Sequence, residues 1–320
     1  MFHALHPFGS FARVLSTRAL AAVTIVTAAA LASTALAQDL PDAYPLPGDA
    51  VFPEGIAVDA EAGTFYVGAT NGGTLYRADI ASGEVEVFAE GTQPTAIGME
   101  VDPYGRLWVA GGPTGNVYVY DTASGDLLGT YATPKADATF LNDLTFARDA
   151  VFVTDSQRPV LFRIGAGETL GELDTFVSFE DTPFRYVDGF NANGIVVAPG
   201  GWSLVIVSSA TGELYRVGLG DGAVSRVASS AEPVTAGDGL VLDGSTLYVV
   251  RNQLGQVERL TISPSGRAVA PAGEPIRSDA FHFPTTAAVH DGSLFVVNSQ
   301  FDRQGGTPDL PFEVVRVDIP

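Results

Sequence analysis

Six units of about 45 residues follow one another along this chain, each with the same order of segments. A unit opens on a short motif, runs into an apolar strand, turns on Gly or Asp, gives a second apolar strand, then a third that often carries an aromatic and an arginine. The first reads FPEGIAVD, GTFYVG and GTLYRADI from Phe52 to Ile80. The second spans Thr95 to Asp121, the third Phe140 to Ile164, and the fourth Asn191 to Leu219. The fifth spans Ala236 to Ile262 and the sixth Pro284 to Ile319. Alternation such as Leu75-Tyr76-Arg77-Ala78-Asp79 marks strands, and no helical period is sustained after residue 37. Six repeats of several strands predict an all-β, six-bladed β-propeller. A β-sandwich would not explain why six units share one order of strands.

A propeller must hide its sheet edges. Segments such as Glu84 to Phe88 and Val224 to Val227 supply a fourth, outer strand, but the sixth unit has no sequence left for one after Ile319. The ring closes if the start of the domain completes the last blade, so a segment near Asp42 to Leu46 is predicted to be that strand. Pro45 and Pro47 are tolerable there, because an outer edge needs fewer amide donors.

The first 37 residues read differently. Arg13 and Arg18 precede an apolar run, Ala19 to Leu36, that ends in Ala35-Leu36-Ala37. This is the pattern of an export signal cleaved after Ala37, with a membrane anchor as the competing reading. Residues 38–320 are then one propeller domain, expected in a periplasm or outside the cell, with no membrane contact after cleavage, as a monomer. The net charge of −20 repels phosphate backbones, so nucleic acid is not an expected partner. The chain has no cysteine, which excludes disulfides, thiolate catalysis and Cys-ligated metal. Lys135 is the only lysine, and only His282 and His290 remain after the leader.

Aligned on the inner strand, the units share one position just before its apolar residues. It is Glu54, Ile97, Asn142, Asn193 and Asp238 in units one to five, and Thr285 or Thr286 in unit six. Equivalent positions of a propeller converge on the central channel. Four of the six bear oxygen donors, two carboxylates and two amides. Such a hard-oxygen set suits one divalent cation, calcium first, with magnesium, manganese or zinc as alternatives. Taken singly, Asn or Asp before Gly is a turn former. As a set, two acids in a confined channel would be costly without a cation, which favours the metal reading.

At these residues the chain resembles the SMP-30/gluconolactonase/LRE-like family, which includes regucalcin and bacterial gluconolactonases. The resemblance rests on Pro53-Glu54-Gly55, Leu141-Asn142-Asp143-Leu144, Ala192-Asn193-Gly194-Ile195 and Gly237-Asp238-Gly239-Leu240, each in the expected blade. It implies a single cation held by Glu54, Asn142, Asn193 and Asp238. It also implies metal-dependent hydrolysis of a lactone or related ester (a carboxylic ester hydrolase), with the cation as Lewis acid and Asp238 as general base. Phe140 stands where the family often has an arginine that grips a sugar-like substrate, which implies a more apolar small molecule. Asp143 is read as a turn residue before a substrate contact, and His282 as a structural hydrogen-bonder before a ligand. The insertion Phe179 to Phe190 and the loop Ser299 to Pro311 are lids or surface loops. The alternative function is a non-catalytic ligand- or protein-binding propeller with a structural ion. A strictosidine-synthase-like propeller, which uses a Glu without a metal, does not fit the axial Asn, Asn and Asp.

Overall fold

The computed structural model describes residues 40–320 except 137. The export signal expected over residues 1–37 lies outside the described residues. Six sheets follow one another along the chain; in four of them the strands run in sequence order from the axis outward, all antiparallel. The inner strands are Pro53–Asp59, Met99–Val101, Leu141–Ala147, Ala192–Val197, Gly237–Asp243 and Pro284–His290. The six blades are the six repeats. Among the described residues the only helical segments are two short 3-10 turns, Asn252–Leu254 and Phe301–Arg303, and no helix is long and apolar enough to cross a membrane.

The ring closes as the missing outer strand requires. Ala43–Leu46 pairs antiparallel with Phe312–Asp318, in the register Ala43↔Val315 to Leu46↔Phe312. Tyr44 is fully buried there and donates its hydroxyl to the Ile80 carbonyl of blade one, so the first strand also ties the last blade to the first. Blade five departs from the repeat. The connection from blade four adds Ala228–Ser229 in parallel to the outer strand Ala268–Pro271, a pairing the repeat gave no reason to expect.

Both faces of each blade are covered by neighbours, so middle strands such as Ser203–Ser208 and Ala150–Asp155 are buried along their whole length. The core is accordingly a set of clusters between blades. One is Phe65, Phe295, Phe312 and Tyr44; another is Trp108, Val119, Leu144 and Phe162.

One irregularity recurs where five of the six inner strands begin. Pairing with the second strand slips between Pro53 and Ile56, Leu141 and Leu144, Ala192 and Ile195, Gly237 and Leu240, and Pro284 and Ala287. Each slip is a β-bulge that leaves two residues opposite one. The first residue of each bulge is Glu54, Asn142, Asn193, Asp238 and Thr285, which decides for Thr285 over Thr286 in blade six. These residues lie in strands and not in turns, and the glycines after them answer to crowding. A Cβ on Gly55 would lie 2.1 Å from the Ile97 carbonyl oxygen, and one on Gly194 would lie 2.3 Å from that of Asp238. The inner strands meet too closely for any side chain there.

Candidate metal centre on the propeller axis

The bulges bring the four expected donors to one end of the channel. Glu54, Asn142, Asn193 and Asp238 are all buried. Glu54, Asn142 and Asn193 line a cavity of about 10 Å³ together with Asp143, Thr286, Ile56, Met99 and the glycines Gly55, Gly98 and Gly239. That is room for one water-sized particle. Asp238 lies beside it, its neighbour Gly239 forming part of the wall.

Their hydrogen bonds orient the amides. Asn142 Nδ2 donates to Ser156 Oγ at 2.9 Å, so its carbonyl is turned away, and Oδ1 is buried without a partner. Asn193 Nδ2 donates to Ser209 Oγ at 2.9 Å and to Asp238 Oδ1 at 2.7 Å. Asn252 Nδ2 donates to Asp238 Oδ2 at 2.9 Å, so both oxygens of Asp238 are held. Glu54 Oε2 is buried with no partner. A buried acceptor left unpaired costs about 1–3 kcal/mol, more if charged, and two of them beside one cavity fit a cation that would accept both. Among the described residues no three His, Cys, Asp or Glu side chains cluster to hold a metal; the axial set has two carboxylates, and its other donors are amides. Residues of this kind and number fit calcium, with water completing the shell.

The electrostatics point the same way. Burial, with Asp238 and Asp143 nearby, raises the Glu54 carboxyl well above its ordinary range. Burial pushes Asp238 up to about 7, against the pull of the Asn252 and Asn193 amides. Burial pushes Asp143 up to about 7 as well, although the backbone N–H groups of Leu144 and Ile195 both donate to it. Glu100 follows at about 8, raised by burial and by Asp143. A bound divalent cation would favour the ionised form of the nearest of these acids.

The role of Asp143 differs from its sequence reading, whereas Thr285 is not one of the four expected donors and His282 is not the expected ligand. Asp143 is not a turn residue: it sits in the bulge of blade three, its Oδ1 in the space that a Cβ on Gly98 would need, and it bridges to the bulge of blade four. Thr285 does not offer its oxygen to the channel; its Oγ1 donates to the Glu54 carbonyl at 3.0 Å and meets Ser299 Oγ at 2.6 Å. His282 stays outside the site, 40% exposed, with Nδ1 4.0 Å from Asp309 Oδ2.

Asn252, Ser156 and Ser209 went unread in the sequence. The same repeat would have found them. They occupy one position at the end of the second strand, which reads Thr70, Gly112, Ser156, Ser209, Asn252 and Ser299 around the ring. Five of the six are polar, and three of them fix the axial side chains.

Residues 35–156, less than half of the chain, match the family model described as "SMP-30/Gluconolactonase/LRE-like region". No curated protein matches the sequence. Many solved structures share the fold. The calcium-binding protein regucalcin of Agrobacterium tumefaciens strain C58 is 15% identical, with a TM-score of 0.59 over 88% of this chain and 96% of that one. The allergen Mala s 1 of Malassezia sympodialis is 12% identical, with a TM-score of 0.67 over 88% and 97%. Virginiamycin B lyase of Staphylococcus aureus is 12% identical, with a TM-score of 0.63 over 88% and 99%. At such identities these likenesses speak for the fold alone. The resemblance read from the sequence is thus met in the comparisons: the SMP-30/gluconolactonase/LRE-like signature lies in residues 35–156, and the described chain is a six-bladed propeller.

Proposed function

We propose that this protein is an exported hydrolase of a small lactone or related ester, dependent on one divalent cation, calcium before zinc, magnesium or manganese. The observation that carries the proposal is the pair of buried, unpartnered acceptors, Glu54 Oε2 and Asn142 Oδ1, on one cavity of single-particle size. Calcium-binding regucalcin among the fold relatives supports the choice of ion. Glu54, Asn142, Asn193 and Asp238 would hold the cation, which, when bound, supplies Lewis acidity toward a carbonyl oxygen and toward water. Ser156 and Ser209 keep the two amide carbonyls aimed inward by engaging their nitrogens. Asp238 takes the proton of the attacking water, the acyl C–O bond breaks, and the proton passes to the leaving alkoxide, giving a hydroxy acid. Asn252 and Asn193 hold Asp238 in place for that transfer. Residues 1–37 would be removed on export, leaving the monomeric propeller in a periplasm or outside the cell.

A second reading, a binding propeller with a structural ion, draws on one observation. Both oxygens of Asp238 already accept amide hydrogens, which fix the carboxylate and use one lone pair on each oxygen. Calorimetric titration of chelator-treated protein with calcium, followed by a lactone panel with and without chelator, separates the two. Saturable calcium binding with chelator-sensitive turnover supports the hydrolase. Binding without turnover leaves the structural ion, and no binding at all removes both.

A further inference from the structure

The end of the channel that holds the donors also carries four of the nine large hydrophobic side chains exposed among the described residues. Of the large hydrophobic side chains that stand exposed among the described residues, Val187, Phe190, Leu254 and Leu310 lie on three loops that leave the blades at this end. They are 43–51% exposed. Monomeric soluble proteins seldom gather such side chains without a use for them. The loops are held in place. Phe184 of the first stacks on Tyr215 with ring centroids 4.1 Å apart, and Tyr186 donates its hydroxyl to the Asp155 carbonyl, which pins the middle of that loop.

Inside this rim, two residues before the axial position, stand Phe140 on blade three and Phe283 on blade six. In a six-bladed ring those blades face each other across the axis. Phe140 packs with Ile97, the apolar axial residue of blade two, and meets Phe190 edge to face at 5.0 Å. Phe283 meets Phe301 at 6.2 Å. The backbone is strained along the same rim. Phe52, Ala236 and Phe283, at equivalent positions in three blades, have φ of 43°, 56° and 54°, and Gln300 beside Phe301 has φ of 53°. Bulky residues in the left-handed region are rare, and such strain gathers at ligand sites.

Two arginines of the rim are already engaged. Arg158 is spent on Asp155, Pro134, Thr133 and Thr139, and Arg303 on Asp309. A polyhydroxylated ring would have to displace those bonds to use either guanidinium.

We infer that the substrate of this site, on the hydrolase reading above, carries an alkyl or aryl group beside its ester carbonyl, seated between the Phe140–Phe190 and Phe283–Phe301 pairs. Burial of each methylene is worth about 0.8 kcal/mol, roughly a fourfold gain, when it is complete. The test has two arms. In the first, kcat/KM is measured with calcium for lactones of rising alkyl length, a phenyl-substituted lactone and an aldonolactone. The expected result is a rise of about tenfold or more from unsubstituted to hexyl, with the aldonolactone poorest. In the second, uncleavable lactams with alkyl or polyhydroxyl substituents are titrated calorimetrically into calcium-loaded protein, which needs no turnover. The alkyl lactam should bind tighter, with Phe140→Ala weakening it about tenfold and calcium affinity holding. Phe190→Ser, which changes only an exposed ring, should flatten the chain-length trend if the Phe140 variant fails to fold.

Alkyl-lactam binding without turnover would sink the hydrolase reading and leave this inference standing. Indifference to chain length, tighter binding of the polyhydroxylated lactam, or no binding of either overturns it.

Discussion

Blades two and five occupy the same scaffold and use it in opposite ways. In blade five the inner strand Gly237–Asp243 bulges at Asp238, whose two oxygens are held by Asn193 and Asn252. In blade two the strand shortens to Met99–Val101, and the axial residue is Ile97, 4% exposed and covered by Phe140. Its backbone is still held, Ile97 N–H donating to the Ala110 carbonyl and Gly98 N–H to that of Asn142. The ring therefore delivers the same position from every blade, whatever side chain stands there. A donor is placed by one residue choice, and a second residue at the end of the neighbouring strand aims it. Blade two lacks both, having Ile97 and Gly112 where blade five has Asp238 and Asn252. Blade two accordingly brings Gly98 and Met99, and no oxygen-bearing side chain, to the cavity wall.

The comparison breaks first at Asp238. Asp238→Ala should cut calcium affinity about a hundredfold or more, about 2.7 kcal/mol or more by the tenfold rule, and abolish chelator-sensitive turnover. Calorimetry and the lactone assay check this, and normal affinity with retained turnover would sink the assigned role. Asn252→Ala probes the aiming residue: calcium affinity should fall about 10–100-fold, as for other groups that orient a ligand. An unchanged affinity would show that blade five needs no such support.

Acidity gives the next effect. Unfolded, Asp238, Asp143 and Glu100 would lose their protons near pH 4. Folded, they keep them to about 7, about 7 and about 8, because burial disfavours the charge. Between those values the folded state binds more protons than the unfolded, so stability falls as pH rises. Chelator-treated protein should melt about 5 °C or more lower at pH 8 than at pH 5, and calcium should shrink the gap. Glu54→Gln should remove part of the same gap and weaken calcium binding, two shifts that a merely structural glutamate would not pair.

The smallest effect belongs to blade six. Thr285→Val removes the hydrogen bond to the Glu54 carbonyl, at a cost of about 1 kcal/mol in chemical denaturation, and should leave the calcium Kd within about twofold. A larger loss of affinity would make Thr285 a fifth donor and blade six a partner of blade five.

Much of the candidate site could be read from the repeat. Glu54, Asn142, Asn193 and Asp238 follow from aligning six units on one strand, and the structure brings them to one end of the channel. Asp143 was misread because Asn-Asp suggests a turn, whereas the bulge keeps the pair inside a strand facing Gly98 of the preceding blade. Asn252 was missed because its contact with Asp238 spans a bulged hairpin, where one residue of slip decides which side chains meet. Glu100 looked like an ordinary strand residue. Its proximity to Asp143 exists only between two blades.

The sequence by itself determined the number of blades, the strand that closes the ring and the level at which donors converge. Those follow from a period and from alternation, which are local properties repeated along the chain. Only the tertiary structure decided which way each donor points, which acids share the channel with it, and which loops crowd its mouth. Those depend on bulges and on contacts between blades, and residues far apart in the chain carry no local record of one another.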